Sequence, residues 1–474
     1  MTAPLYEAIM DYVKKQIIPF HMPGHKQGRI FPEEYLVNLT KIDLTEVPGL
    51  DNLHNPEGPI LEAQKLAARA FGAKESFFLV NGTTSGIYAA MYAVLNPDDK
   101  VLIMRNSHKS VYNGLVLTGA VPFYINPEID YENGIPMGVN IDKLEECLKK
   151  NGSIKAVVIT YPNYYGFCSD IEKISDIIHK YHKILIVDEA HGAHFPFSGN
   201  LPLSSLQVGA DIVVQSIHKT LSSFTQSSIL HLNSDRVDTN RLKYFLSLFQ
   251  STSPSYLLMS SLDLARDYME KEGKNRLEKA IILAEYARHE INTLGGVRCL
   301  GEEILGSFGI VDFDKTKLTI SVKNLGITGP EAEGFLRENF NIQVEMADTF
   351  NILAMVTLAD NKEEVDLLIK GLANMKNLKK DKKLEVEIED YPDVPEMVLK
   401  PSEAVRQKTK WASLEDAEGS ICADFIIPYP PGVPLVCPGE RIKKDMVKYI
   451  NVLYNKGIKI LGLNKNNSLL VCEI

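Results

Sequence analysis

The sequence predicts an α/β protein built on a mainly parallel β-sheet, and two observations carry that prediction. Short, continuously apolar runs recur at Phe77–Val80, Val101–Met104, Val121–Ile125, Ala156–Thr160, Ile184–Val187, Ile212–Val214 and Ser228–Leu232. Between them lie segments of helical period, such as Ile171, Ile174, Ile177, Ile178 and Tyr181. A strand covered on both faces reads as an unbroken apolar run, and alternation with helices implies parallel neighbours. Ligands of such sheets bind beyond the carboxyl ends of the strands, so the loops that follow the strands are where chemistry is sought.

Before this pattern, residues 1–60 form an N-terminal arm rich in Pro, Gly, His and Asn. Pro19-Phe20-His21-Met22-Pro23-Gly24-His25-Lys26 and Asp43–Leu50 read as irregular chain dense in polar groups. The large domain is assigned to 61–270 and a small α+β domain to 271–378. The small domain takes a long helix over Asn275–Asn292 and helices over Gly329–Asn339 and Lys362–Met375. Its strands fall at Leu318–Val322, near Ile342–Glu345 and near Ile352–Thr357. Lys376–Lys383 reads as a solvated linker. A third unit, 379–474, contains Pro428–Glu440, too rich in proline for a helix or a central strand.

The formal net charge of -10 argues against a duplex-binding protein, which carries a basic patch. The six cysteines form no CxxC pair and match neither a zinc site nor a disulfide framework, so they read as free thiols in a reducing compartment. The first twenty residues lack the apolar core of a signal peptide, and no stretch approaches the ~20 apolar residues that span a bilayer. The expected location is the cytoplasm.

Four strand ends carry the candidate chemistry. Asn81-Gly82-Thr83-Thr84-Ser85-Gly86 opens a helix and offers free N–H and hydroxyl groups to a phosphate. Arg105–Ser110 contains His108. Asp188-Glu189-Ala190-His191-Gly192-Ala193-His194 begins with an aspartate at the end of a wholly apolar strand, which is costly unless a positive partner meets it. A metal site of Asp188, His191 and His194 is the weaker reading of this stretch. Gln215-Ser216-Ile217-His218-Lys219-Thr220 puts a lysine beside a buried strand end, where desolvation favours the neutral, nucleophilic amine. A lysine to hold an aldehyde, an aspartate to keep a ring nitrogen protonated and a loop to anchor a phosphate together meet the needs of pyridoxal 5'-phosphate.

These residues resemble the Orn/Lys/Arg decarboxylase family of fold-type I pyridoxal-phosphate enzymes, in its short form without an N-terminal wing domain. The resemblance runs over nearly the whole chain, through Pro19–His25, Thr45–Asp51, Asn81–Ser85, Arg105–Ser110, Asp188–His191, Ser216–Lys219, Ser251–Pro254 and Pro428–Glu440. It implies an aspartate-aminotransferase-like large domain and decarboxylation of a basic amino acid to its amine and CO2. Lys219 would carry the cofactor and Asp188 would face its ring nitrogen. His108 would stack on one face of the ring and Ala190 would pack on the other. Gly82, Thr83, Thr84, Ser216 and His218 would hold the phosphate, and Thr252 would reach the phosphate of a neighbouring subunit. Glu440 would approach the distal cation of the substrate. Lys219 and His191 are the candidates for protonating Cα. Asn163 stands where the family usually has threonine.

The short form further implies a homodimer or a dimer of dimers with shared active sites, and a place in polyamine biosynthesis. Among arginine, lysine and ornithine, the resemblance favours arginine, which would give agmatine. A fold-type I aminotransferase and a non-catalytic regulator that keeps the fold are the competing readings.

Overall fold

All seven apolar runs enter one seven-stranded sheet in a computed structural model that describes residues 3–378, 380, 392–429, 434–455 and 459–473. Across the sheet the order is Glu75–Leu79, Ser228–Leu232, Ile212–Gln215, Ile184–Asp188, Ile154–Thr160, Lys100–Met104 and Val121–Ile125. From Ile212–Gln215 to Val121–Ile125 all neighbours are parallel. Ser228–Leu232 is antiparallel to both of its neighbours, so Glu75–Leu79 runs with the parallel set.

Side chains alternate across a strand, and here each side enters a different core. Leu102, Val157, Leu185, Val187 and Val213 pack into one, and Val101, Ile103, Val158, Ile186 and Val214 into the other. Both faces are therefore dry, which is why the runs are unbroken. Helix Gly82–Val94 lies close on the second face. A Cβ on Gly86 would stand 2.5 Å from Leu79 Cδ1 and 2.7 Å from Val214 Cγ1, so glycine permits this approach.

The small domain is a four-stranded sheet, ordered Arg298–Cys299, Lys317–Ser321, Asn351–Met355 and Met346–Ala347. Helices Lys274–Thr293, Gly329–Phe340 and Lys362–Asn374 share its core. Helix Gly329–Phe340 opens on a capping box between Thr328 and Glu331.

The N-terminal arm has more regular structure than its composition suggests. Pro4–Lys14 is a helix that buries none of its residues; Leu5, Ile9 and Val13 lie on its exposed surface. Ile18–Phe20 pairs in parallel with Ile342–Val344 of the small domain. Lys26, fully buried, fastens this pairing: its ammonium donates to the carbonyls of Pro19 (2.6 Å), His21 (3.1 Å) and Met355 (3.1 Å), with Asp360 at 3.6 Å.

In the C-terminal unit Thr409–Ser413 pairs with Ser468–Cys472 and Ile427–Tyr429 with Lys459–Leu461, both antiparallel, and helix Lys444–Asn455 packs on the core they share. Phe425, Ile427 and Cys437 extend into the core of the large sheet. Residues 379 and 381–383 of the linker lie outside the described residues, as do 430–433 of the proline-rich segment. All six cysteines are free thiols.

Candidate active site

The carboxyl ends of the parallel strands open into a cavity of about 710 Å³. Gly82, Thr83, Thr84, His108, Asp188, Ala190, His191, Ser216, His218 and Lys219 all line it. Met22 of the arm contributes to the wall, together with Glu333 and Glu345–Asp348 of the small domain. Ile427, Lys459 and Leu461 reach it from the C-terminal unit.

One end suits a phosphate. Helix Gly82–Val94 has no side-chain cap at Asn81, so the N–H groups of its first turn are left to a ligand. Gly82 takes a left-handed φ of 78°, which glycine adopts without strain. Thr83 Oγ1 meets the hydroxyls of Ser216 and Ser228, the latter at 2.9 Å. His218 Nδ1 lies 2.9 Å from the Ser227 carbonyl, and burial lowers its pKa to about 4, so the ring is neutral near pH 7.

At the other end, Asp188 terminates its strand at 3% exposure and accepts from the Ala190 N–H at 3.2 Å. The adjacent Glu189 is fully buried. It accepts from Ser204 Oγ (2.7 Å), Ser205 N (2.7 Å), Ser205 Oγ and Gln215 Nε2 (2.7 Å) and so fixes the turn that follows Asp188. Burial lowers the pKa of the Lys219 amine, with Asp188 and Glu345 opposing the shift. His108 caps helix Lys109–Thr118 and is likewise held neutral by burial, opposed by Asp188.

His191 and His194 do not share a helix face. His191 Nε2 is 3.0 Å from Lys219 Nζ, whereas His194 turns away to Asp314 Oδ2 at 3.1 Å. Among the described residues, no group of three or more His, Cys, Asp or Glu could hold a metal. Asn163, in the place of the usual threonine, donates to the Pro136 carbonyl and accepts from Phe167 N, so it braces the loop beside the cavity.

Two expected site residues lie elsewhere. Glu440 does not line the cavity. It is 1% exposed and held by Arg105 through two hydrogen bonds of 2.5 and 2.7 Å, while Cys437 N donates to the same carboxylate at 2.8 Å. A carboxylate so engaged has no lone pair turned to a substrate cation, and the assignment of Glu440 to the substrate is corrected to an internal ion pair. Thr252 is exposed on the protomer surface, away from this chain's own cavity.

The sequence reading missed Lys317, Glu345 and Tyr164. Lys317 Nζ is 3.1 Å from His191 Nδ1 and donates to the Tyr164 carbonyl at 2.7 Å. Glu345 accepts from Met22 N (2.9 Å) and Tyr164 OH (2.7 Å), which ties the arm to the cavity wall. Glu345 sits between Val344 and Met346, which was the available signal; Lys317, after Asp314-Lys315-Thr316, had none.

The donor set fits pyridoxal phosphate. An uncapped helix start lies at one end, a buried carboxylate at the other, and a desolvated amine in the same cavity. Three further cavity residues, Asn106, Ser107 and Thr160, carry buried side-chain oxygens that have no protein partner. Fold and site define the class: a fold-type I, pyridoxal-phosphate-dependent amino-acid decarboxylase. The model of the Orn/Lys/Arg decarboxylase major domain matches residues 3–364 and that of its C-terminal domain matches 385–466, and the chain belongs to this family. It is 40% identical to an arginine decarboxylase of Bacillus anthracis over 466 residues, covering 97% of this chain and 94% of that protein. With an arginine decarboxylase of Bacillus subtilis the identity is 39% over 465 residues, covering 97% and 95%. The structure of lysine decarboxylase A from Pseudomonas aeruginosa superposes with a TM-score of 0.80 at 22% identity, covering 99% of this chain and 82% of that one.

Proposed function

We propose that the chain holds pyridoxal 5'-phosphate on Lys219 and decarboxylates a basic amino acid, with arginine as its substrate and agmatine as the product, a step toward polyamines. The observation that carries the reading is the convergence of Lys219 and Asp188, from neighbouring strand ends, on one cavity with an uncapped helix start. The two arginine decarboxylases at 39–40% identity favour arginine among the three basic amino acids.

When bound, the cofactor supplies an electron sink for the bond to the carboxylate. The protein's own residues do the rest. The first turn of helix Gly82–Val94, with Thr83, Thr84 and Ser216, would hold the phosphate. The buried carboxylate of Asp188 would hold a proton on the ring nitrogen. His108 and Ala190 would lie against the ring. Lys219, its pKa lowered by burial with Asp188 opposing, gives up its proton more readily than a solvated lysine, which favours it as the nucleophile. With Glu440 committed to Arg105 and Asp348 taken up by Tyr165, Phe350 and Asn351, the carboxylates of the cavity wall left to meet a distal cation, among the described residues, are Glu333 and Glu345. Thr252, on the exposed surface, serves the site of a partner subunit in a homodimer.

The test is direct. Purified protein treated with borohydride should carry the reduced cofactor on Lys219 by peptide mapping, and CO2 release should be fastest from arginine among arginine, lysine and ornithine. An adduct on another lysine, such as Lys109, would refute the site. Formation of a keto acid without CO2 would point to transamination instead.

A further inference from the structure

We propose that Lys317 is a positioning residue that sets the proton of His191: its ammonium donates to Nδ1, so the imidazole presents an Nε2–H to the cavity beside Lys219. This rests on the decarboxylase reading above and adds a source for the proton that replaces CO2.

The geometry is a line of three groups. Lys219 Nζ lies 3.0 Å from His191 Nε2, and Lys317 Nζ lies 3.1 Å from His191 Nδ1. His191 lines the cavity. Lys317, 2% exposed and at the head of strand Lys317–Ser321, stands behind it. Two contacts fix Lys317: it donates to the Tyr164 carbonyl at 2.7 Å, and it lies 5.7 Å from the centre of the Tyr164 ring, itself packed 4.7 Å from the His191 ring.

An ammonium has donors and no acceptor, and a neutral imidazole has one of each. Whichever nitrogen faces the ammonium must accept, and the hydrogen is driven to the other. Burial lowers the Lys317 pKa to about 8 while Asp314 and Glu345 oppose the shift, so the ammonium predominates near pH 7. Burial first, then Lys219 and Lys317, lower the His191 pKa well below the usual histidine range, so its ring is neutral; in the holoenzyme the Lys219 nitrogen is committed to the cofactor and is no longer an ammonium, so Lys317 is the cation that forces a ring nitrogen to accept. The groups facing this pair are Asp314, Glu345, Lys219, Cys168, His108, His218 and the Tyr164 carbonyl.

The arrangement balances as a relay. As the Cα–carboxylate bond breaks, its electron pair stays with Cα and CO2 leaves. Nε2–H passes its proton to Cα, and Lys317 passes one to Nδ1, which leaves a neutral amine and the Nδ1–H tautomer. A proton from water restores the starting state, matching the one proton that the overall reaction consumes. A donor without Lys317 behind it would have to become an imidazolate, which a buried site disfavours.

The experiment is 15N NMR of histidine-labelled holoenzyme, with the His191 signals identified by their loss in His191→Gln. The expected result is Nε2 protonated and Nδ1 accepting in the wild type, and a mixture of tautomers in Lys317→Met, whose cofactor absorbance is unchanged. Lys317→Arg, which keeps a cationic donor, should retain the wild-type tautomer. In kinetics, Lys317→Met should lower kcat about a hundredfold, the low end for loss of a placed acid. The same change in a His191→Gln background should cost less than about threefold, because residues acting through one another are not additive. A wild-type His191 protonated on Nδ1, or fully additive losses, would overturn the proposal. The wild-type spectrum decides even if a variant fails to fold. Failure to release CO2 from any basic amino acid would instead refute the decarboxylase reading and leave the tautomer result standing.

Discussion

Replacing Glu440 with alanine separates an internal ion pair from a substrate contact. In the structure Arg105 is 2% exposed, and its guanidinium donates two hydrogen bonds to Glu440 and one of 2.9 Å to the Leu435 carbonyl. The Tyr124 ring lies 4.7 Å from its central carbon. Glu440→Ala leaves that charge buried with one carbonyl, and it also strips Cys437 N of its acceptor. Removing one partner of a buried pair costs about 3–5 kcal/mol, far more than the pair adds over a well-packed apolar substitute. The double variant Arg105→Met/Glu440→Leu should therefore recover most of the loss. The assay is urea denaturation of the three proteins alongside kcat/KM for arginine, lysine, ornithine and an uncharged analogue. Because Arg105 immediately precedes Asn106, Ser107 and His108 of the cavity wall, the loss of turnover should be similar for all four substrates. An unchanged denaturation midpoint, with a rise in KM confined to the cationic substrates, would refute this reasoning and return Glu440 to the substrate.

Three other perturbations bear on the site. Asp188→Asn should lower turnover about a thousandfold, roughly 4 kcal/mol at about 1.36 kcal/mol per tenfold, while cofactor stays bound; near-normal turnover would remove Asp188 from the chemistry. Lys219→Ala and Thr252→Tyr proteins, each inactive alone, should regain part of the activity when mixed, since a hybrid dimer has one intact site; confirmed mixed dimers without activity would place Thr252 outside the partner's site. His231, fully buried between Ser76 (2.7 Å) and Gln215 (3.1 Å), has its pKa lowered by burial to about 3. Its folded pKa lies below the unfolded value, so the unfolded chain binds the extra proton. This contribution to stability is present above about pH 6.5 and is lost as pH falls toward 3, by about 2 kcal/mol at pH 5. His231→Gln should flatten the acid side of a stability–pH curve, and an unchanged slope would count against a neutral buried His231.

The parts of the fold that the sequence revealed are those where burial leaves no choice. Val101–Met104 and Ile212–Val214 are covered on both faces, so every position is apolar and the run announces a central strand. Asp188 and Lys219 stood out because a charge at the end of such a run needs a reason. Glu440 was misread because its partner, Arg105, lies 335 residues away, and no local pattern links them. Lys317 was passed over because a lysine at a strand head usually points to solvent, and only the packing of Tyr164 and His191 over it makes it internal. Helix Pro4–Lys14 escaped notice because the arm was judged by its Pro- and Gly-rich stretch, although Leu5, Ile9 and Val13 recur at helical spacing.

The pairing of Ile18–Phe20 with Ile342–Val344 bears on synthesis of the chain by the ribosome. The large sheet is contained within residues 75–232, so all of its strands are made before the small-domain strand that receives the arm. Asp188 and Lys219 can thus be arrayed on a finished sheet while Ile18–Phe20, made first of all, still waits for its neighbour. Contacts so distant in sequence form late, because closing long loops costs entropy before it is repaid. Until Glu345 has been made, Met22 N lacks the carboxylate that receives it, and the cavity wall they form together is open on that side.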